Sequence, residues 1–210
     1  MAQANEGTRN DEQLVEDFKC GDERAFEEIF RRHSGSVLTY CVYFFKNRQE
    51  AEDVSQKVWL RIWNGLKRFR AEAKLTTWIA RVQINTCRTH ARWWRRLLSR
   101  LTEMPEPSHL VSRDPSPESL STYNDLERTL VSEIQHLDPR FREAILLSRQ
   151  GHGMAAMAEI LSVPVNTAKT RLFRAREALR RREAVADVLG LDLPQKATRA
   201  HAAPMQLALA

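Results

Sequence analysis

The stretch MAEILSVPVNTAKTRLFRARE, residues 157–177, decides the reading of this chain. A short helix is predicted over 154–161, a tight turn at Ser162-Val163-Pro164 and a longer helix over about 165–182. In the longer helix Ala168, Leu172, Ala175 and Leu179 recur at helical spacing and form one small apolar stripe. The opposite face presents Asn166, Thr170, Arg174 and Arg181, with Lys169 and Arg171 at its flanks. Short helix, turn and basic helix together make a helix-turn-helix pattern. Such a helix buries its stripe and offers the rest to a DNA major groove. Asn and Arg read base edges there, and Thr and Lys hold phosphates. The competing reading of the same face is a solvated surface helix.

Upstream of this motif, Leu126, Leu130, Ile134 and Leu137 mark a helix from about 123. Asp138-Pro139 opens the next, with Pro tolerated in the first turn, and Gly151-His152-Gly153 stops it. Residues 99–122 carry four prolines among serines with no sustained period, so they read as a flexible linker. Before the linker, helices are expected over 11–35, with a break at Gly21-Asp22, and onward after Ser34-Gly35 through Phe45. Phe26, Ile29 and Phe30 stand at apolar spacing in that run. A helix over about 50–66 carries Ala51, Val54, Val58 and Ile62 on one face, with Trp59 and Trp63 beside it. A loop over 67–75 leads to a helix over about 76–98, with Trp78, Ile79, Val82 and Cys87 inward. The fold class is all-α: two small helical domains, 11–98 and 123–183, and an Ala-rich tail, 184–210, expected to be largely disordered.

Composition narrows the function. The 210 residues are 42% hydrophobic and 29% charged, the balance of a globular protein. The net charge of +6 hides strong segregation. Residues 66–100 hold ten basic residues and one acid, and 166–182 hold seven against one. Two basic blocks predict two contacts with a polyanion. In the first block Phe69, Trp78, Trp93 and Trp94 interleave with arginines. Aromatic faces stack on unpaired bases while cations follow the backbone, which suits single-stranded or melting DNA. Core packing is the competing role for Trp78.

Three scattered cysteines, Cys20, Cys41 and Cys87, give neither a disulfide framework nor zinc spacing. Cys87 and His90 share a helix face, but two ligands make no zinc site. No Walker loop, GxSxG or HExxH occurs, so no enzyme, metal or cofactor is predicted. The N-terminus lacks a signal-peptide core, and no run of about 18 apolar residues exists, so a cytoplasmic protein without stable membrane insertion is expected.

These pieces, in this order, resemble the extracytoplasmic-function (ECF) sigma factors of the sigma-70 family over about residues 11–183. AEDVSQKVWLRIW (51–63) looks like region 2.2, and TTWIARVQINTCRTHAR (76–92) like regions 2.3 and 2.4. LDPRFREAILLSRQG (137–151) with the 157–177 stretch looks like region 4. The resemblance implies an initiation factor that binds core RNA polymerase through the β′ clamp helices and the β flap. It implies that the first domain opens and reads the −10 element and that the second reads the −35 element. Asp53, Gln56 and Lys57 match the polymerase contact, with Lys57 standing where an acid is usual. Asn85 matches the asparagine that reads a flipped −10 base, and Arg70, Arg88, Thr89 and Arg92 fall in the same −10 region. Asn166, Thr167, Lys169, Thr170, Arg171 and Arg174 lie where the family touches −35 DNA. The loop 68–75 corresponds to the family's base pocket, with Ala71 and Ala73 in place of its usual residues. Ser162 takes the place of a turn glycine. An anti-sigma factor is the regulatory partner the family implies. The alternative function is a stand-alone helix-turn-helix regulator, which leaves the first basic block without a job; a membrane-surface protein is a third reading.

Overall fold

A computed structural model describes residues 9–102 and 125–180. The expected tail and nearly all of the expected linker lie outside the described residues. Eight helices and no strand make up the described residues, in two groups. The first group holds α1 (Asp11–Lys19), α2 (Glu23–Phe44), α3 (Arg48–Leu66) and α4 (Leu75–Thr102). The second holds α5 (Asp125–Gln135), α6 (Pro139–Arg149), α7 (Met154–Leu161) and α8 (Val165–Arg180).

Local sequence fixes most of the helix starts. Asn10 and Gln13 form a reciprocal capping box on α1: Asn10 Oδ1 accepts from the Gln13 N–H at 2.8 Å, and Gln13 Oε1 accepts from the Asn10 N–H at 2.9 Å. Asp22, Asn47 and Asp138 cap α2, α3 and α6, the last with Pro139 in the first turn. α2 runs unbroken through Ser34 and Gly35, where the sequence suggested an interruption. Burial of Ile29 on one side and Val37 and Cys41 on the other offsets the ~1 kcal/mol that an internal glycine costs a helix. α4 extends to Thr102, a turn beyond its expected end.

In the first group the stripe Ala51, Val54, Val58 and Ile62 of α3 is fully buried, together with Leu14, Phe18, Ile29, Ile84 and Cys87. Phe18, Phe26, Trp59 and Trp63 meet edge to face, with Phe26 and Trp63 centroids 4.6 Å apart. Trp78 is half-buried on Phe69, and a Cβ at Gly65 would sit 3.0 Å from its ring. A glycine at that point of α3 is what lets α4 dock so close. In the second group the predicted stripe of α8, Ala168, Leu172, Ala175 and Leu179, packs on α6 and α7 and is at most 5% exposed.

The two groups also pack on each other. α2 lies against α5 and α6, and α4 against α7. Gln135 donates from Nε2 to the carbonyls of Val42, at 2.9 Å, and Phe45, at 2.7 Å. Arg142 donates to the carbonyls of Phe44, Ile134, Gln135 and Leu137. One guanidinium thus covers the C-terminal carbonyls of α2 and of α5, where a cation is electrostatically favoured.

Candidate nucleic-acid interface

The turn between α7 and α8 holds Ser162 in the left-handed region, φ 55 and ψ 50. That residue ends α7 and lets α8 leave at an angle. On α8, Asn166, Lys169, Thr170 and Arg174 are exposed, and Thr167 and Arg171 are half-buried at the edges. All six predicted positions are therefore accessible on the side away from the buried stripe. Thr170 Oγ1 donates to the Asn166 carbonyl at 2.9 Å, which fixes its hydroxyl on that face. Arg181 lies outside the described residues.

On α4, Asn85, Arg88, Thr89 and Arg92 stand at i, i+3, i+4 and i+7, so they line one face. Asn85, Thr89 and Arg92 are exposed; Thr89 Oγ1 donates to the Asn85 carbonyl at 2.7 Å. The Asn85 amide therefore belongs to the surface rather than to a buried network. Trp93 lies beside that face and Trp94 on the side of His90; they are 54% and 38% exposed, with centroids 5.1 Å apart. Both are accessible, where adjacency in sequence suggested only one. Arg70 is exposed in the α3–α4 loop, and Ala71 beside it adopts φ 56, a conformation that costs a residue with a Cβ roughly 1 kcal/mol.

Arg88 differs from its neighbours. Its Nε and Nη2 donate to the two carboxylate oxygens of Glu143, both at 2.7 Å. The Glu143 side chain is 5% exposed and that of Arg88 30%. The pair spans the two halves, and the Glu143 hydrogen bond holds the guanidinium pKa above its ordinary value. Arg81 of α4 also pairs across the seam with Glu159 of α7, through one nitrogen and in an exposed setting. Glu143, Gln135 and Arg142 carried no signal in the sequence, since their partners across the seam lie 55 to 98 positions away.

On α3, Asp53, Gln56 and Lys57 are exposed above the buried stripe, as predicted. Beside them an apolar groove of about 680 Å³ runs between α2 and α3, lined by Phe26, Phe30, Leu38, Trp59 and Leu60. Phe30 and Leu60 are 44% and 63% exposed, so Phe30 belongs to this groove and not to the core. Phe173, 63% exposed on α8, was likewise not marked by the sequence pattern. Cys87 is buried beside Cys41, and burial pushes its thiol pKa up. His90 turns instead to Glu50 and Trp94. Among the described residues no group of three His, Cys, Asp or Glu side chains is placed to hold a metal, and no helix is long and apolar enough to cross a membrane.

Comparison with known proteins matches residues 29–97 to the model of sigma-70 region 2 and residues 127–179 to that of sigma-70 region 4. The RNA polymerase sigma-H factor of Pseudomonas aeruginosa is 34% identical over 176 residues, covering 80% of this chain and 91% of that protein. The chain belongs to the ECF sigma factors of the sigma-70 family. The ECF sigma-E factor of Haemophilus influenzae is 28% identical over 80% of this sigma factor and 93% of its own length. The fold is shared with the sigma factor RpoE from Bartonella quintana, solved with the anti-sigma factor NepR, at TM-score 0.60 and 19% identity; the match covers 80% of this chain and 98% of that one. In this sigma factor region 2 thus comprises α2 to α4, and region 4 comprises α5 to α8.

Proposed function

We propose that this sigma factor works through three exposed faces. The α4 face, Asn85, Thr89 and Arg92 with Arg88 and Arg70, reads and holds the opened −10 element. An amide that both donates and accepts suits a flipped base, and the exposed Trp93 offers stacking surface beside it. The α8 face, Asn166, Thr167, Lys169, Thr170, Arg171 and Arg174, reads the −35 element in the major groove. Asp53, Gln56 and Lys57 engage the β′ clamp helices, and region 4 engages the β flap. The linker, taken as residues 99–122 between domains 11–98 and 123–183, lets both domains dock at once, so each weak contact raises the effective concentration of the next. Catalysis belongs to the polymerase, in the cytoplasm, and this chain has no active site of its own. An anti-sigma factor is the regulator we assign, and the groove beside Gln56 would give it purchase on the polymerase-binding face.

The observation that carries this reading is the exposure of two basic, polar helix faces, one in each region the family models match. Permanganate footprinting of unpaired thymines around −10, together with DNase I footprinting of the −35 duplex, tests it on open complexes. Asn85→Ala should reduce thymine reactivity around −10 while leaving −35 protection in place. Lys169→Ala and Arg174→Ala should weaken −35 protection first. Equal footprints for all variants would remove the residue assignments.

A further inference from the structure

α4 and α7 meet across the seam between the two regions, and a cleft of about 360 Å³ opens beside that contact. Lys74, Thr77 and Gln83 line it from region 2, and His152, Gly153 and Ala156 from region 4. Its chemistry points to an occupant. Gln83 is completely buried, yet neither its amide nitrogen nor its oxygen has a hydrogen-bond partner. Buried amides are paired in folded proteins because an unmet donor and acceptor are costly. A ligand in the cleft would meet both.

Two helices begin at the same place, and neither has a side-chain cap. Gly153 is the N-cap of α7 and makes no side-chain bond. The Trp78 N–H donates to the Lys74 carbonyl, which makes Lys74 the N-cap of α4, and an ammonium group has no acceptor to give. First-turn N–H groups without partners, at the positive end of the helix dipole, attract anions. Lys74 opposes that dipole, so its placement costs stability unless an anion sits between. No carboxylate among the described residues lines the cleft. Gln150 ties its rim across the seam, donating to Ser36 Oγ at 3.0 Å and to the Ser36 carbonyl at 3.2 Å.

We propose that this cleft binds a small phosphate-bearing anion, either inorganic phosphate or a phosphomonoester, which bridges regions 2 and 4. Phosphate oxygens accept from the first turns of α4 and α7 and from Lys74. The Gln83 nitrogen donates to another oxygen, and a protonated or ester-borne hydroxyl donates to the Gln83 oxygen. The cleft exists only while the regions are packed together, so the inference rests on that packing and not on the DNA-reading assignments.

The test is amide-resolved NMR of the full chain, titrated with inorganic phosphate against chloride at constant ionic strength. Saturable shifts are expected at the Thr76, Thr77, Gly153 and Ala155 N–H groups and at the Gln83 side-chain amide. Lys74→Ala changes an exposed residue and should weaken binding about tenfold. Gln83→Leu, close in shape, should weaken it while keeping the dispersed spectrum. Separate titrations with glycerol phosphate and a nucleoside monophosphate distinguish an ester from the free ion; tighter binding of either supports the ester. Shifts confined to the arginines of α8, a response indifferent to both substitutions, or the same cleft shifts from a short single-stranded DNA would each overturn the proposal.

Discussion

Ser162 shows how a single residue sets both geometry and stability. Its left-handed backbone makes the corner between α7 and α8, and a Cβ there is strained. Ser162→Gly should therefore raise unfolding stability by about 1 kcal/mol, read as a higher denaturant midpoint with an unchanged slope. A loss of stability would mean that the serine hydroxyl contributes more than its Cβ costs. The cysteines separate in the same way. Cys20 is exposed, while Cys41 and Cys87 are fully buried. Burial raises the Cys87 thiol pKa and suppresses the reactive thiolate. One equivalent of thiol should react quickly with a disulfide reagent in the native protein, at Cys20, and the other two only after denaturation. Fast labelling of Cys87 would mean that α4 separates readily from α2.

The two basic helices, α4 and α8, are assigned different work in the proposed function on similar chemistry. α8 holds its cations outward around a buried stripe, so their loss should leave the fold intact. Lys169→Ala should change stability by less than about 0.5 kcal/mol and weaken −35 binding across sequences, lowering the salt slope by about one. Ile62→Ala in α3 is the contrasting case. That side chain is fully buried, so its truncation should cost about 2–5 kcal/mol. These elements were legible because apolar residues recur every three or four positions and because Asp22, Asp138 and Pro139 mark helix starts. The stripes of α3 and α8 are buried as their spacing implied. The exposure of Phe30 was not legible, since helical spacing places it next to Ile29 and Phe26 without saying which neighbour covers it. The continuity of α2 through Gly35 was hidden for a related reason: a local signal for a break is outweighed by tertiary burial on both sides.

The two described regions are closed on each other in this structure, and the Arg88–Glu143 clasp between them was invisible in the sequence. Arg88, on the candidate −10 face, spends its guanidinium on Glu143 of region 4. If Arg88 holds −10 DNA as proposed, Glu143 cannot hold it at the same time, and closure competes with −10 binding for one side chain. Glu143→Gln weakens the pair without changing its shape. The free chain should then bind a single-stranded −10 oligonucleotide more tightly, by up to about tenfold for each ~1.4 kcal/mol of closure lost. Fluorescence anisotropy with the purified full chain reads this directly, and unchanged affinity would show that the pair does not hold the face shut. Opening on polymerase must part a buried apolar cluster shared by the two regions as well as the polar ties of Gln135, Arg142 and the Arg88–Glu143 pair, so Glu143→Gln loosens one of several contacts.

In the proposed function the faces of α3, α4 and α8 turn a catalytic polymerase into a promoter-directed one. Run-off transcription from a mixed promoter library, with bacterial core RNA polymerase and with or without this sigma factor, tests it most directly. Discrete new start sites are expected that require the protein, that diminish with Asn85→Ala or Lys169→Ala, and whose upstream DNA shares two elements. No new start with an active core, alongside tight binding of the protein alone to paired half-sites, would contradict it and leave a stand-alone helix-turn-helix regulator.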